Sequence, residues 1–161
     1  MMTKGINEYL KSLALSSVLT ERVKSVHKFY ESLVPQPITD AFISEYVKED
    51  GERVWESLWF FSRDYAMEAD SFASQDFFDF VWLGQMERIV FRKTEYDFEK
   101  ATSKSRLTIN ASIVGDLTID LKASAANCDA LKRIAITYLV PRVTPRTATG
   151  AVSTKTTSRL K

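Results

Sequence analysis

The sequence predicts an α+β fold: an N-terminal helical segment, a bent antiparallel sheet or partly open barrel, a C-terminal capping helix and a disordered tail. Three observations predict it. Apolar residues recur at intervals of three and four up to Leu33, alternate with polar residues most cleanly between Leu107 and Leu121, and return to helical spacing from Cys128 to Tyr138. The chain divides accordingly into a helical segment over 1–34, a sheet domain with its closing helix over 38–140, and a tail over 142–161. With 161 residues, 45% of them hydrophobic and 27% charged, it is long enough to bury one core without disulfides or a structural metal.

The first segment reads as two helices or one bent one. Ile6, Leu10 and Leu13 share a face, and after Ser16 and Ser17 the residues Leu19, Val23, Val26, Tyr30 and Leu33 continue the spacing. Either serine can cap the second stretch, because a short hydroxyl side chain accepts from the unpaired N–H groups of a first turn. Pro35 and Pro37 then force an extended exit, each fixing its own φ and restricting the residue before it.

Strands follow. Ala41 to Val47 is rich in β-branched and aromatic residues, Glu49-Asp50-Gly51-Glu52 is a turn, and Val54 to Phe61 completes a hairpin. The stretch from Tyr65 to Phe72 is ambiguous. Phe77 to Leu83 is read as a strand so apolar that it needs cover on both faces, from the N-terminal helices or from a partner. Met86 to Lys93 is another strand, with Ile89 and Phe91 alternating with Arg88, Val90 and Arg92. Leu107 to Ile113 and Leu117 to Leu121 form a hairpin around Gly115-Asp116.

Asn127 is placed to cap a last helix whose stripe is Cys128, Leu131, Ile134, Ala135 and Tyr138, ending at Val140-Pro141. Beyond it, 142–161 is rich in Thr and Ser and poor in large apolar side chains, so it cannot offset the entropy of ordering. The tail carries Arg142, Arg146, Lys155, Arg159 and Lys161 and no acid, which against a net charge of +1 leaves the body at −4.

The consecutive strands through Leu107-Thr-Ile and Leu117-Thr-Ile-Asp-Leu, closed by one amphipathic helix, resemble the final third of a pleckstrin-homology-like domain. The resemblance covers residues 38–140 and implies a bent seven-stranded sheet capped at one open corner by the helix. The tryptophan common in that family's helix is absent, since the tryptophans are Trp55, Trp59 and Trp82, and the N-terminal helices are an addition. A fold of this kind hosts many ligands and implies only a binding module.

Catalytic chemistry finds little support. The lone His27 has no cysteine or carboxylate near it in sequence, and the lone Cys128 sits in an apolar stripe, where a small buried hydrophobe is the expected role. No disulfide can form within the chain, and a reducing, cytoplasmic setting fits best. Asp64, Glu68, Asp70, Asp76 and Asp79 are dense, but their spacing matches no metal-binding loop and they read as a solvated acidic face. No cofactor or metal is expected. No apolar run approaches the ~18 residues of a membrane span.

The leading expectation is therefore a non-catalytic interaction module that binds a protein partner, or a second copy of itself, through an aromatic-rich sheet. In the body, Arg88, Arg92, Lys93, Lys104 and Arg106 are the candidate ligand-binding residues, with Lys100 nearby, because a strand-loop-strand arrangement can aim several cations at one phosphate. Two alternatives stand beside it. One is weak attachment to nucleic acid or anionic lipid through the basic tail. The other is a small α+β enzyme with a carboxylate such as Asp79 raised in pKa by an apolar pocket.

Overall fold

The computed structural model describes residues 1–70, 77–97, 102–115 and 117–143. Two helices open the chain, α1 over Lys4–Ser12 and α2 over Ser17–Leu33. Both starts are capped as their sequences allow: Thr3 Oγ1 accepts from the Ile6 N–H and Ser16 Oγ from the Leu19 N–H. Between them Ala14 adopts φ 51°, the left-handed conformation that stops α1 and reverses the chain.

Among the described residues, seven antiparallel strands follow in two sheets. β1 (Ile38–Val47), β2 (Arg53–Ser62), β3 (Tyr65–Asp70) and β4 (Phe77–Trp82) pair in chain order, as do β5 (Met86–Asp97), β6 (Thr102–Ile113) and β7 (Leu117–Ser124). The turn at Gly51, with φ 90°, closes through Lys48 N–H to Glu52 O, and the Asp50 side chain accepts from the Glu52 N–H. Of the ambiguous stretch from Tyr65 to Phe72, the described part, Tyr65–Asp70, is the strand β3.

Strand alternation divides the first sheet into two faces. One carries Ala41, Ile43, Leu58, Phe60, Met67 and Ala69 and is covered by α2, where His27 meets Phe60 edge-on at 5.2 Å and Phe29 meets Phe78 at 4.6 Å between ring centres. On the other face Phe61 stacks on Trp59 at 6.2 Å and on Tyr138 at 4.9 Å.

The two sheets join at β1 and β7 through side chains. No backbone ladder links these strands among the described residues. Instead Ser44 Oγ accepts from the Lys122 N–H at 2.9 Å, and Glu45 Oε1 accepts from the Ser124 N–H at 2.7 Å and from the Ser124 hydroxyl. Glu45 is fully buried, with Arg53 Nε 3.1 Å from its second oxygen. The expected bent sheet or partly open barrel is thus a pair of sheets with a polar seam, and it is not a closed barrel.

The chain closes with α3 (Asn127–Ile134), which continues through a π-helical turn, Ala135–Leu139, and a 3-10 turn, Val140–Arg142. Its expected stripe, Cys128, Leu131, Ile134, Ala135 and Tyr138, is buried, and α3 packs against β1, β6 and β7. Asn127 does not cap it. The cap position is Ala126, without a side-chain bond, and the Asn127 side chain turns into the core, donating to Ile43 O at 3.0 Å and accepting from the Tyr9 hydroxyl at 2.9 Å. An interior amide with two partners there outweighs one half-exposed cap. No helix among the described residues is long and apolar enough to cross a membrane.

Candidate functional site

β4 is an outer strand of the first sheet, at the end opposite β1, and three of its six residues expose large aromatic side chains: Phe77 at 63%, Phe80 at 43% and Trp82 at 61%. Val81 is buried and Phe78 is half-buried beneath α2, so the expectation that Phe77 to Leu83 needs cover on both faces is met for only part of the run. The apolar surface continues onto α2, where Phe29 and Leu33 are 42% and 51% exposed. Soluble proteins blunt a sheet edge with charge, proline or cover, because an open edge offers unpaired N–H and C=O groups to any passing strand. Here the strand's sole charge is Asp79.

The phase of β4 follows from one bond. The Leu83 N–H donates to Asp64 O at 2.7 Å, and residues whose backbone groups face a given neighbour alternate along an antiparallel strand. Phe78, Phe80 and Trp82 therefore turn their N–H and C=O groups away from β3, toward an edge that no described strand pairs. Gly84 leaves room for the Trp82 indole, since a Cβ at that position would overlap the ring.

A second concavity, of about 550 Å³, lies between the sheets and is polar. β2 bulges between its pairs with Ser44 and Glu45, leaving Glu56 as the extra residue and turning it toward Lys122, whose Nζ lies 3.4 Å from it. Asp120 accepts from the Asn110 amide across the cleft wall. With Glu68 and Arg92 also lining it, carboxylates and cations balance nearly evenly, and the cleft has no dominant charge.

The five cations singled out in the body do not converge. Arg88 and Arg92 lie opposite Ser112 and Thr108, and Arg92 lines the polar cleft, whereas Lys93 and Arg106 border a separate hollow of about 150 Å³ with Asp129 and Lys132. Successive residues of a strand point to opposite faces, so Arg92 and Lys93 part company as soon as the segment is extended. Lys104 falls on β6.

Arg142 is occupied. It donates to Leu83 O and Arg63 O and lies 3.2 Å from Asp64 Oδ1, fastening the 3-10 turn that follows α3 to the β2–β3 and β4–β5 connections. Asp64, which also accepts from Gln36 and Arg63, is held down at about 2 by those donors. Arg146, Lys155, Arg159 and Lys161, and with them the expected disorder of the tail, lie outside the described residues, as do Asp76 and Lys100.

His27 is buried, its Nε2 without a hydrogen-bond partner, and burial lowers its pKa. Cys128 Sγ lies 3.6 Å from Ser105 O, and burial and the Glu45 charge push its thiol up, away from nucleophilic character. Asp79 is exposed on β4, not enclosed in an apolar pocket. Among the described residues, no group of three or more His, Cys, Asp or Glu side chains is placed to hold a metal ion. The sequence left open whether the helices or a partner cover this run; which of its aromatics are exposed, Phe77, Phe80 and Trp82, follows only from the strand's place at the sheet edge.

No family model, no curated protein and no solved structure matches the chain.

Proposed function

We propose that this chain is a non-catalytic interaction module that binds a protein partner along β4. The observation that carries the reading is the coincidence, on one outer strand, of exposed Phe77, Phe80 and Trp82 with outward-facing backbone groups. Together they meet both requirements of strand addition: the backbone supplies affinity and the alternate side chains supply selectivity. The order of four antiparallel strands, three antiparallel strands and a helix packed against β1, β6 and β7 supports a pleckstrin-homology-like build, with α1 and α2 as an added layer. A lone, buried Cys128 is in keeping with a reducing, cytoplasmic setting.

The test is affinity capture from a lysate with the full chain and with Trp82→Lys, at matched melting temperature. A protein captured by the first and lost by the second supports the reading. Identical capture by both contradicts it, as does reproducible turnover in a broad hydrolase and transferase screen.

A second reading, recognition of an anionic group, is favoured by the three cations Lys93, Arg106 and Lys132 around one hollow. It requires that inositol phosphate or nucleic acid bind the intact chain in a salt-sensitive way, and that Lys132→Ala weaken that binding. Truncation after Val143 separates this site from the tail without disturbing Arg142.

A further inference from the structure

We infer that the occupant of the β4 edge is a second copy of this chain, joined by a two-fold axis through Phe80 so that β4 pairs antiparallel with its counterpart and the two four-stranded sheets become one of eight. This rests on the proposal that β4 is the interface, and it adds the partner and the register.

The register follows from the strand itself. In an antiparallel pair related by a two-fold axis normal to the sheet, the faces are preserved and directly opposed residues share a face, so the axis must pass through a residue position. Centred on Phe80, it sets Phe80 against Phe80, Phe78 against Trp82 and Trp82 against Phe78, a continuous aromatic row of the kind that stabilises cross-strand neighbours. Asp79 then faces Val81. Centred on Asp79, the same strands would oppose two like charges and push Trp82 past the end of β4, and centred on Val81 they would lose the Phe78 contact with Trp82.

The backbone agrees with the Phe80 register. Phe78, Phe80 and Trp82 are the residues whose N–H and C=O groups point to the free edge, so each of the three opposed pairs would exchange two hydrogen bonds. Phe29, exposed and packed on Phe78, lies on the same face as this aromatic row and would extend it over the junction. An arbitrary peptide would complete the backbone bonds equally well, but a second copy also places an aromatic opposite every outward-bonding residue and opposes no like charges.

Sedimentation velocity on the full chain over a wide concentration range tests this, with Phe80→Lys, Trp82→Lys and, as a distant control on β7, Leu117→Lys. The expected result is a reversible dimer whose dissociation constant rises ~10-fold or more in the first two variants and is unchanged in the third. Circular dichroism and melting establish that each variant is folded. Phe80→Cys in a Cys128→Ala background provides a test without an introduced charge. Opposed Cα atoms about 5.5 Å apart fall within disulfide range, so mild oxidation should link two chains through position 80 and link Asp79→Cys poorly.

A monomer at every concentration, or a dimer indifferent to Phe80 and Trp82, overturns the inference. A monomer whose lysate capture is still lost in Trp82→Lys overturns the second copy alone and leaves a different protein on the same edge. A monomer with unchanged capture overturns both.

Discussion

The Tyr9 hydroxyl donates to Asn127 Oδ1 at 2.9 Å and accepts from the Ile43 N–H at 2.9 Å, so one buried oxygen joins the first helix, the first strand and the start of the last helix. Asn127 completes the loop by donating to Ile43 O. Tyr9→Phe removes a donor and an acceptor while keeping the ring stacked on Phe42, and it strands the Ile43 N–H and the Asn127 carbonyl in the core. The expected loss is about 2–3 kcal/mol in urea unfolding, with an unchanged m-value.

Glu45 binds the seam between the sheets, and its partners lie 79 positions away at Ser124. Glu45→Ala leaves the Ser124 N–H and hydroxyl without their acceptor, for an expected cost of about 3 kcal/mol. Amide exchange at Lys122 and Ser124 should accelerate more than exchange within the β5–β6 ladder. Equal acceleration throughout would mean that the seam does not act as a separate unit.

Acid should loosen the protein in two steps. His27 has a folded-state pKa below its ordinary 6.5 because burial disfavours the imidazolium, so the unfolded chain takes up the proton first. Stability is complete above 6.5 and falls as pH drops below it toward the folded value. His27→Leu should flatten the fall in melting temperature that begins as pH drops below about 6.5. Asp64, held at about 2 against an ordinary 3.8, contributes stability that is present above 3.8 and lost as pH falls through the interval to about 2. Asp64→Asn should flatten that second limb.

Gly84→Ala probes the presentation of Trp82, because the new Cβ would overlap the indole. The ring must move, at an expected cost of about 1–3 kcal/mol. Its fluorescence should shift relative to a protein in which Trp55 and Trp59 are replaced by phenylalanine. An unchanged spectrum would show that the ring is not held against this glycine.

Much of the fold was legible in the chain because its local signals agree with their surroundings. The hydroxyl at Ser16 does cap α2, Gly51 does take the positive φ of a turn, and the alternation from Leu107 to Leu121 is a hairpin with one buried face. What was not legible depends on contacts between distant segments. Asn127 looked like a cap because its alternative partners lie at Tyr9 and Ile43. Arg142 looked like the first residue of a basic tail, and its acceptors lie at Arg63, Asp64 and Leu83. Glu56 gave no sign that a bulge would aim it into the cleft. The aromatic edge is the sharpest case, since periodicity shows that Phe78, Phe80 and Trp82 share a face but not that their strand is outermost.

The most direct measurement is amide exchange, read residue by residue along β4 as a function of protein concentration. The outward-facing amides of Phe80 and Trp82 should gain protection as concentration rises, while Asp79 and Val81, already bonded toward β3, change little. Fast exchange at Phe80 and Trp82 that is independent of concentration, in a chain that stays folded, would contradict self-association at this edge.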